Sequence, residues 1–282
     1  MSKSHIKVSE LFYSIQGEGK YSGAPSVFLR TFGCNFRCKG FGLPRGVETT
    51  EVQQVIQRIH EYNSYNDLPL VSTGCDSYAA IYPEFKKFSA IKSIDLIVTD
   101  IMELLPKQQW TNEHLVITGG EPLLGWQRCY PDLLSHAHMK PLRFLTFETN
   151  GTQKLQQDFY DYLKQFVSQG KDLTFSVSPK LSASGEPNTA AIKPEIIVEY
   201  QEVGNVYLKF VVDTLSSAEE VINVVQQYQN AGFNGPVYLM PAGGTTESFQ
   251  ENDKYVAKLA LDNGFYYSDR LHVRIFANQW GT

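Results

Sequence analysis

The chain has 282 residues, 42% of them hydrophobic and 20% charged, and a formal net charge of −5. That is the composition of an ordinary globular protein, long enough to bury a substantial core as one large domain or two small ones. The acidic balance argues against non-specific nucleic-acid binding, which needs a basic face, and no run of about 18 apolar residues signals a membrane span.

Taken in chain order, the opening MSKSHIKVSE lacks the apolar segment of a signal peptide, so a cytoplasmic protein with reduced cysteines is expected. β-Branched and aromatic runs predict strands at 26–31 (SVFLRT), 114–118 (HLVIT), 143–149 (RFLTFET), 173–178 (LTFSVS), 206–213 (VYLKFVVD), 236–240 (PVYLM) and 271–276 (LHVRIF). Helical periodicity covers 93–105, 157–167, 216–230 and 251–263. In the third of these, Val221, Ile222, Val224, Val225 and Tyr228 form one apolar face, and Ser217 with Glu220 resembles a capping box. Strands alternating with helices imply a parallel sheet of βα units, and six or seven units imply a partial or full barrel. Chemistry in such folds sits at the carboxyl ends of the strands. One stretch breaks the alternation: 39–73 holds a predicted helix at 49–62 between Gly- and Pro-containing flanks, and reads as an insertion.

The polar motifs fall at those strand ends. Cys34-Asn35-Phe36-Arg37-Cys38 follows the first strand. A site-differentiated [4Fe–4S] cluster needs three thiolates and leaves its fourth iron open. The position three beyond Cys38 is Phe41, which cannot ligate iron, so a compact three-cysteine loop is absent. Thr118-Gly119-Gly120-Glu121-Pro122 follows the second strand, where a glycine pair lets a ligand approach the backbone. Glu148 and Asn150 end the third strand and Ser178-Pro179-Lys180 the fourth. Lys209 is a charge on an otherwise apolar strand, so it should point at an anion or reach a rim. Cys129 reads as a small core residue.

Together these stretches resemble the 7-carboxy-7-deazaguanine synthase family of radical S-adenosylmethionine (SAM) enzymes. Ser14-Ile15-Gln16-Gly17-Glu18-Gly19 is similar to the family's Gln-Gly-Glu-Gly motif, and 27–34 (VFLRTFGC) to the strand entering its cluster loop. Cys75-Asp76-Ser77 looks like the Cys-Asp-Thr/Ser that ends that loop. Tyr207-Leu208-Lys209-Phe210-Val211-Val212 resembles its Leu-Lys-Val-Val strand, Met240 stands where relatives have Gln, and 272–282 (HVRIFANQWGT) resembles the end of family members. The resemblance covers nearly the whole chain apart from 39–73 and implies a partial (β/α) TIM-like barrel of about six βα units, one radical SAM domain over 1–282.

The resemblance further implies that Cys34, Cys38 and Cys75 hold a [4Fe–4S] cluster, with Cys75 set 37 positions beyond Cys38 by the insertion. Gly119, Gly120, Glu121, Glu148, Ser178, Pro179 and Lys180 would bind SAM. Ile15, Gln16, Gly17, Glu18, Arg30, Asp76, Thr118 and Thr282 would bind the substrate, with Arg30 on its carboxylate. Ser77 would hold Mg²⁺ through a hard oxygen. The implied reaction contracts 6-carboxy-5,6,7,8-tetrahydropterin to 7-carboxy-7-deazaguanine, a precursor of 7-deazapurines such as queuosine, with loss of ammonia. The implied partners are an electron donor such as flavodoxin and a second copy in a homodimer. Alternatives remain at this level: another radical SAM enzyme such as a glycyl-radical activating enzyme, a non-catalytic derivative of the scaffold, or a structural Cys₃His zinc protein.

Overall fold

The computed structural model describes residues 4–213, 218–243 and 246–282. The chain opens with two strands, β1 (His5–Ile15) and β2 (Pro25–Thr31), followed by the short helix α1 (Glu51–Gln57). Next come β3 (Ala90–Ser93), α2 (Ile94–Leu104), β4 (His114–Gly119), α3 (Tyr130–Ser135), β5 (Phe144–Thr149) and α4 (Gln157–Ser168). The second half runs β6 (Asp172–Val177), α5 (Asn188–Ala191), α6 (Pro194–Gln201), β7 (Asn205–Val212), α7 (Ala218–Asn230), β8 (Val237–Pro241), α8 (Thr246–Asp262), β9 (Tyr266–Tyr267) and α9 (Leu271–Phe276).

All nine strands form one sheet in the order β3-β1-β2-β4-β5-β6-β7-β8-β9. From β2 to β9 every neighbour is parallel, while β1 runs antiparallel to both β2 and β3. β3 and β9 are the two ends of this order, so the curved sheet is an open barrel of βα units, as the alternation implied. All six residues of β4 are buried, the pattern of a strand covered on both faces. The helices pack outside through apolar stripes. In α2, Ile94, Ile97, Val98 and Ile101 are buried, and the Ser93 hydroxyl caps the first turn by accepting the Leu96 N–H at 3.3 Å.

Three expectations change. The alternation in 271–276 builds helix α9, and the two-residue β9 takes the last strand position beside β8. A six-residue apolar alternation fits either element, and here the sheet edge is already filled by Tyr266 and Tyr267. In α7, Val221, Val224, Val225 and Tyr228 are buried, but Ile222 is 41% exposed because it points off the contact stripe. The predicted helix 49–62 shortens to α1 and a separate turn at Ile59–Glu61. Ser217, the expected capping residue, lies outside the described residues. β1, unpredicted, is the longest strand.

The segment 39–73 does not join the main core. Val52, Val55, Tyr65, Leu68 and Val71 cluster instead with Tyr78, Ile81, Tyr82 and Phe85, and Cys34, Cys75 and Trp280 pack against this second cluster. Glu51 ties the segment's two ends together: it accepts the Ser72 N–H at 2.7 Å and the Ser72 and Thr73 hydroxyls at 2.6 Å each.

Candidate active site

The carboxyl ends of β2 and β4 to β8 surround a cavity of about 240 Å³. Strand twist and the parallel register bring motifs that are far apart in sequence to one rim. Cys34 and Cys38 follow β2, Gly119 and Gly120 end β4, Glu148 and Asn150 end β5, and Ser178 and Lys180 follow β6, all facing the same space. Ile15, Gln16, Gly17 and Glu18 leave β1 across its mouth. Arg30, Thr118, Cys75, Asp76 and Ser77 also line it, as does Thr282. Pro179 and Glu121 stand outside the lining. Glu121 is fully buried and accepts N–H groups of Leu123 (3.0 Å) and Asn150 (2.7 Å) and the Thr149 hydroxyl (2.8 Å), so it braces the β4 and β5 ends from behind.

The three thiols share one wall. Burial pushes the Cys34 thiol up to about 11 and Cys38 up to about 12. Burial also lifts Cys75 well above the usual thiol range, with Asp76 and the other two cysteines adding to the effect. The Phe36 N–H donates to Cys34 Sγ at 3.3 Å. Glu186, from beyond β6, accepts the N–H groups of Arg37 (2.7 Å) and Cys38 (2.8 Å) and so holds the loop where Cys38 takes a left-handed φ of 50°. Gly120 lets this loop come close: a Cβ there would lie 2.5 Å from Gly33 O and 2.6 Å from Cys34 Cβ. Among the described residues no three His, Cys, Asp or Glu side chains converge tightly enough for a single ion. An iron–sulfur cluster spreads its ligands around a larger body, so three thiols lining one cavity wall fit that group better than a lone metal.

A network of buried charge also lines the cavity. Glu18 pairs with Lys209, and its Oε1 accepts Arg270 Nε at 2.9 Å. Arg270 reaches on to Asp76 Oδ2 (2.7 Å) and the Gly243 carbonyl (2.5 Å). Burial works to raise the Glu18 pKa, but Lys209 and Arg270 outweigh it and hold the carboxyl well below its usual range. His272 lies beside this network, and burial followed by the Arg270 charge lowers its pKa to about 4. Gly17 must be glycine for the same ring: a Cβ there would meet His272 Nδ1 at 2.1 Å. Gln16 links the network to β5, donating to Glu148 Oε1 at 3.1 Å and accepting the Glu18 N–H at 3.0 Å.

Arg30 lines the same cavity. It donates from Nε to Glu10 Oε2 at 2.7 Å and from Nη1 to Ser77 Oγ at 3.0 Å. A bulge in β1 between Val8 and Glu10 sets Glu10 directly opposite Arg30 across the strand pair. The Ser77 hydroxyl donates to Asp76 Oδ1 at 3.3 Å, giving two hard oxygen groups side by side. Lys180 Nζ donates to Ser178 Oγ at 3.1 Å.

Sequence reasoning singled out Lys209 as a charge in search of an anion, and Glu18 is that anion. Cys129 is a core residue, as read. Glu10, Glu186, Arg270 and His272 were missed. Glu10 left one signal, a carboxylate inside a strand-like run; the others come from loops or helix ends whose role is set by what they meet in space.

Fold and site define a class: a radical SAM enzyme, built on an open parallel barrel with its cysteine loop after the first parallel strand. No family model matches the chain. It is 30% identical over 297 aligned positions to 7-carboxy-7-deazaguanine synthase of Rhodopirellula baltica, covering 100% of this chain and 90% of that one. It is 29% identical over 293 positions to 7-carboxy-7-deazaguanine synthase of Halobacterium salinarum, covering 96% and 90%. The crystal structure of QueE from Escherichia coli shares the fold, with a TM-score of 0.52, 18% identity and coverage of 94% and 93%. The chain belongs to the 7-carboxy-7-deazaguanine synthase family.

Proposed function

We propose that this chain converts 6-carboxy-5,6,7,8-tetrahydropterin to 7-carboxy-7-deazaguanine with loss of ammonia. The observation that carries the reading is that three thiols, a Gly-Gly strand end and an arginine open onto one cavity. A [4Fe–4S] cluster held by Cys34, Cys38 and Cys75, together with SAM, supplies the radical chemistry when bound. Every other task falls to the chain's own groups.

Gly119 and Gly120 line the cavity at the β4 end and can offer their backbone to the methionyl end of SAM, while the absence of their Cβ atoms lets Thr31 and the cysteine loop pack against them. Glu148, Ser178 and Lys180 offer acceptors and a cation along the same edge. Arg30 suits the substrate carboxylate, since a guanidinium grips a carboxylate through two parallel N–H bonds. Glu18 stays ionised and fixed, so it presents acceptor oxygens to the N–H-rich edge of a pterin; Gln16, Thr118 and the Ile15 and Gly17 backbone extend that edge. Ser77 and Asp76 supply oxygens suited to Mg²⁺, completed by substrate and water. An electron donor such as flavodoxin and a homodimeric assembly complete the proposal. No helix among the described residues is long and apolar enough to cross a membrane, and a cytoplasmic setting is proposed because thiolates that ligate a cluster must stay reduced.

The test is an anaerobic assay of the iron-reconstituted protein with SAM, dithionite, Mg²⁺ and the pterin, read by mass spectrometry. The wild type should form 7-carboxy-7-deazaguanine, and Cys75→Ala should lose both product and cluster absorbance. A reconstituted wild type that cleaves SAM without making this product would assign the site to another substrate. Ser77→Ala should blunt the stimulation by Mg²⁺; full stimulation in that variant would remove Ser77 from the metal site.

A further inference from the structure

The last residues return over the cavity by an uncomfortable route. After α9, Ala277 and Asn278 take left-handed φ values of 51° and 59°. The first of these costs an L-residue with a Cβ roughly 1–2 kcal/mol, so something downstream must hold the reversal. Trp280 is that anchor. Its ring packs edge-on against Tyr65 at 4.9 Å and Tyr78 at 6.0 Å between centroids, and its Nε1 donates to the Leu68 carbonyl at 2.7 Å. Tyr65 and Leu68 belong to the 39–73 segment, more than 200 positions away in sequence.

What Trp280 holds is chemically pointed. The next residue, Gly281, donates its N–H to Glu10 Oε1 at 3.1 Å, while the other oxygen of Glu10 takes Arg30 Nε. One carboxylate therefore joins the returning segment to the arginine that faces the cavity. Tyr65 sits at the same junction with its hydroxyl buried and without a hydrogen-bond partner, so its ring and not its oxygen does the packing.

We propose that Trp280 is a positioning residue: clamped by the 39–73 segment, it holds Gly281 on Glu10 and thereby fixes Arg30 in the orientation that receives the substrate's carboxylate. This gives the 39–73 segment a task, as the outer jaw that closes the 278–282 segment over the site. The inference rests on the pterin reading above. An arginine that contacts only the carboxylate contributes binding that is equal in ground and transition states, so loosening it raises KM and spares kcat.

The experiment uses full-length protein with Trp280→Ala, Tyr65→Ala and Tyr65→Phe, so that the clamp is opened from either side and restored on one. The expected result is a KM for 6-carboxytetrahydropterin raised ~tenfold in both alanine variants, with kcat changed by less than about twofold and iron content unchanged. Tyr65→Phe, which keeps the ring, should return to the wild-type KM. Hydrogen–deuterium exchange of the 277–282 peptide should quicken in Tyr65→Ala, because the ring against which Trp280 packs is gone. Unchanged KM in both alanine variants, a loss confined to kcat, or unaltered exchange at 277–282 would overturn the proposal. A wild type that holds its cluster but makes no product would instead refute the pterin reading, and with it the role given to Arg30, while the exchange data still judge the clamp.

Discussion

Glu18 is the residue on which the buried charges balance. Lys209 and Arg270 have side chains only 6% and 8% exposed, and Glu18 is their shared counter-ion. Glu18→Gln keeps the shape but leaves two buried cations short of a partner, which costs about 3–5 kcal/mol when one side of a buried pair is removed. A urea midpoint that falls accordingly would establish this; an unchanged midpoint would show that neither Lys209 nor Arg270 depends on Glu18. Glu186 plays a quieter part. Its carboxylate takes two N–H groups of the cysteine loop, so Glu186→Ala should lower iron incorporation, measured against protein, while leaving the far-UV spectrum intact. Nothing about Glu186 in the sequence sets it apart, because its partners lie about 150 positions upstream. Glu18, by contrast, was legible from its motif, and Lys209 from being a charge where the strand is otherwise apolar.

Among the elements, the approach of the β4 end to the cysteine loop is the tightest constraint. A Cβ at Gly120 would press on the Gly33 carbonyl and on Cys34, and backbone on both sides leaves little room to yield. Gly120→Ala should therefore fold with native secondary structure but take up little iron; normal iron content and absorbance would show that the loop can move aside. The motif marked this glycine pair from sequence, and the structure supplies the reason. α9 teaches the reverse lesson. Leu271 to Phe276 alternates like a strand, yet the sheet edge is closed by Tyr266 and Tyr267, and Arg270 at the start of α9 is drawn inward by Glu18 and Asp76. Local periodicity cannot register a competitor for the same edge or an ion pair that fixes the residue just before the helix.

For the whole molecule the buried titratable groups set a window of stability. His272 is held neutral with a pKa near 4, against 6.5 when unfolded, so the unfolded chain binds more protons between those values. Stability should fall as pH drops from about 6.5 towards 4, with Glu18, whose pKa is also depressed, steepening the loss on the acid side. The cysteines act in the other direction. Their pKa values rise from 9.0 to about 11 and 12 at Cys34 and Cys38, so the metal-free native state keeps protons that the unfolded chain gives up. That contribution is full below pH 9 and lost as pH climbs through the folded values. Thermal melts of metal-free protein should thus peak between about pH 6.5 and 9, and His272→Gln should flatten the acid limb. A melting temperature that is constant from pH 7 to pH 5 would contradict the burial of a neutral imidazole.

By itself the sequence determined the alternation of strand and helix, and with it the parallel barrel and the rim where the motifs gather. It determined these because hydrophobic period and turn chemistry are local, and because βα units have few ways to close. The tertiary structure decided what the motifs are held by: the Arg270 bridge from Glu18 to Asp76, the Glu10 partner of Arg30, the Glu186 brace and the second cluster that clamps Trp280. Each of these joins residues from different ends of the chain through charge or packing. Such couplings depend on distances in space, which no spacing along the chain encodes.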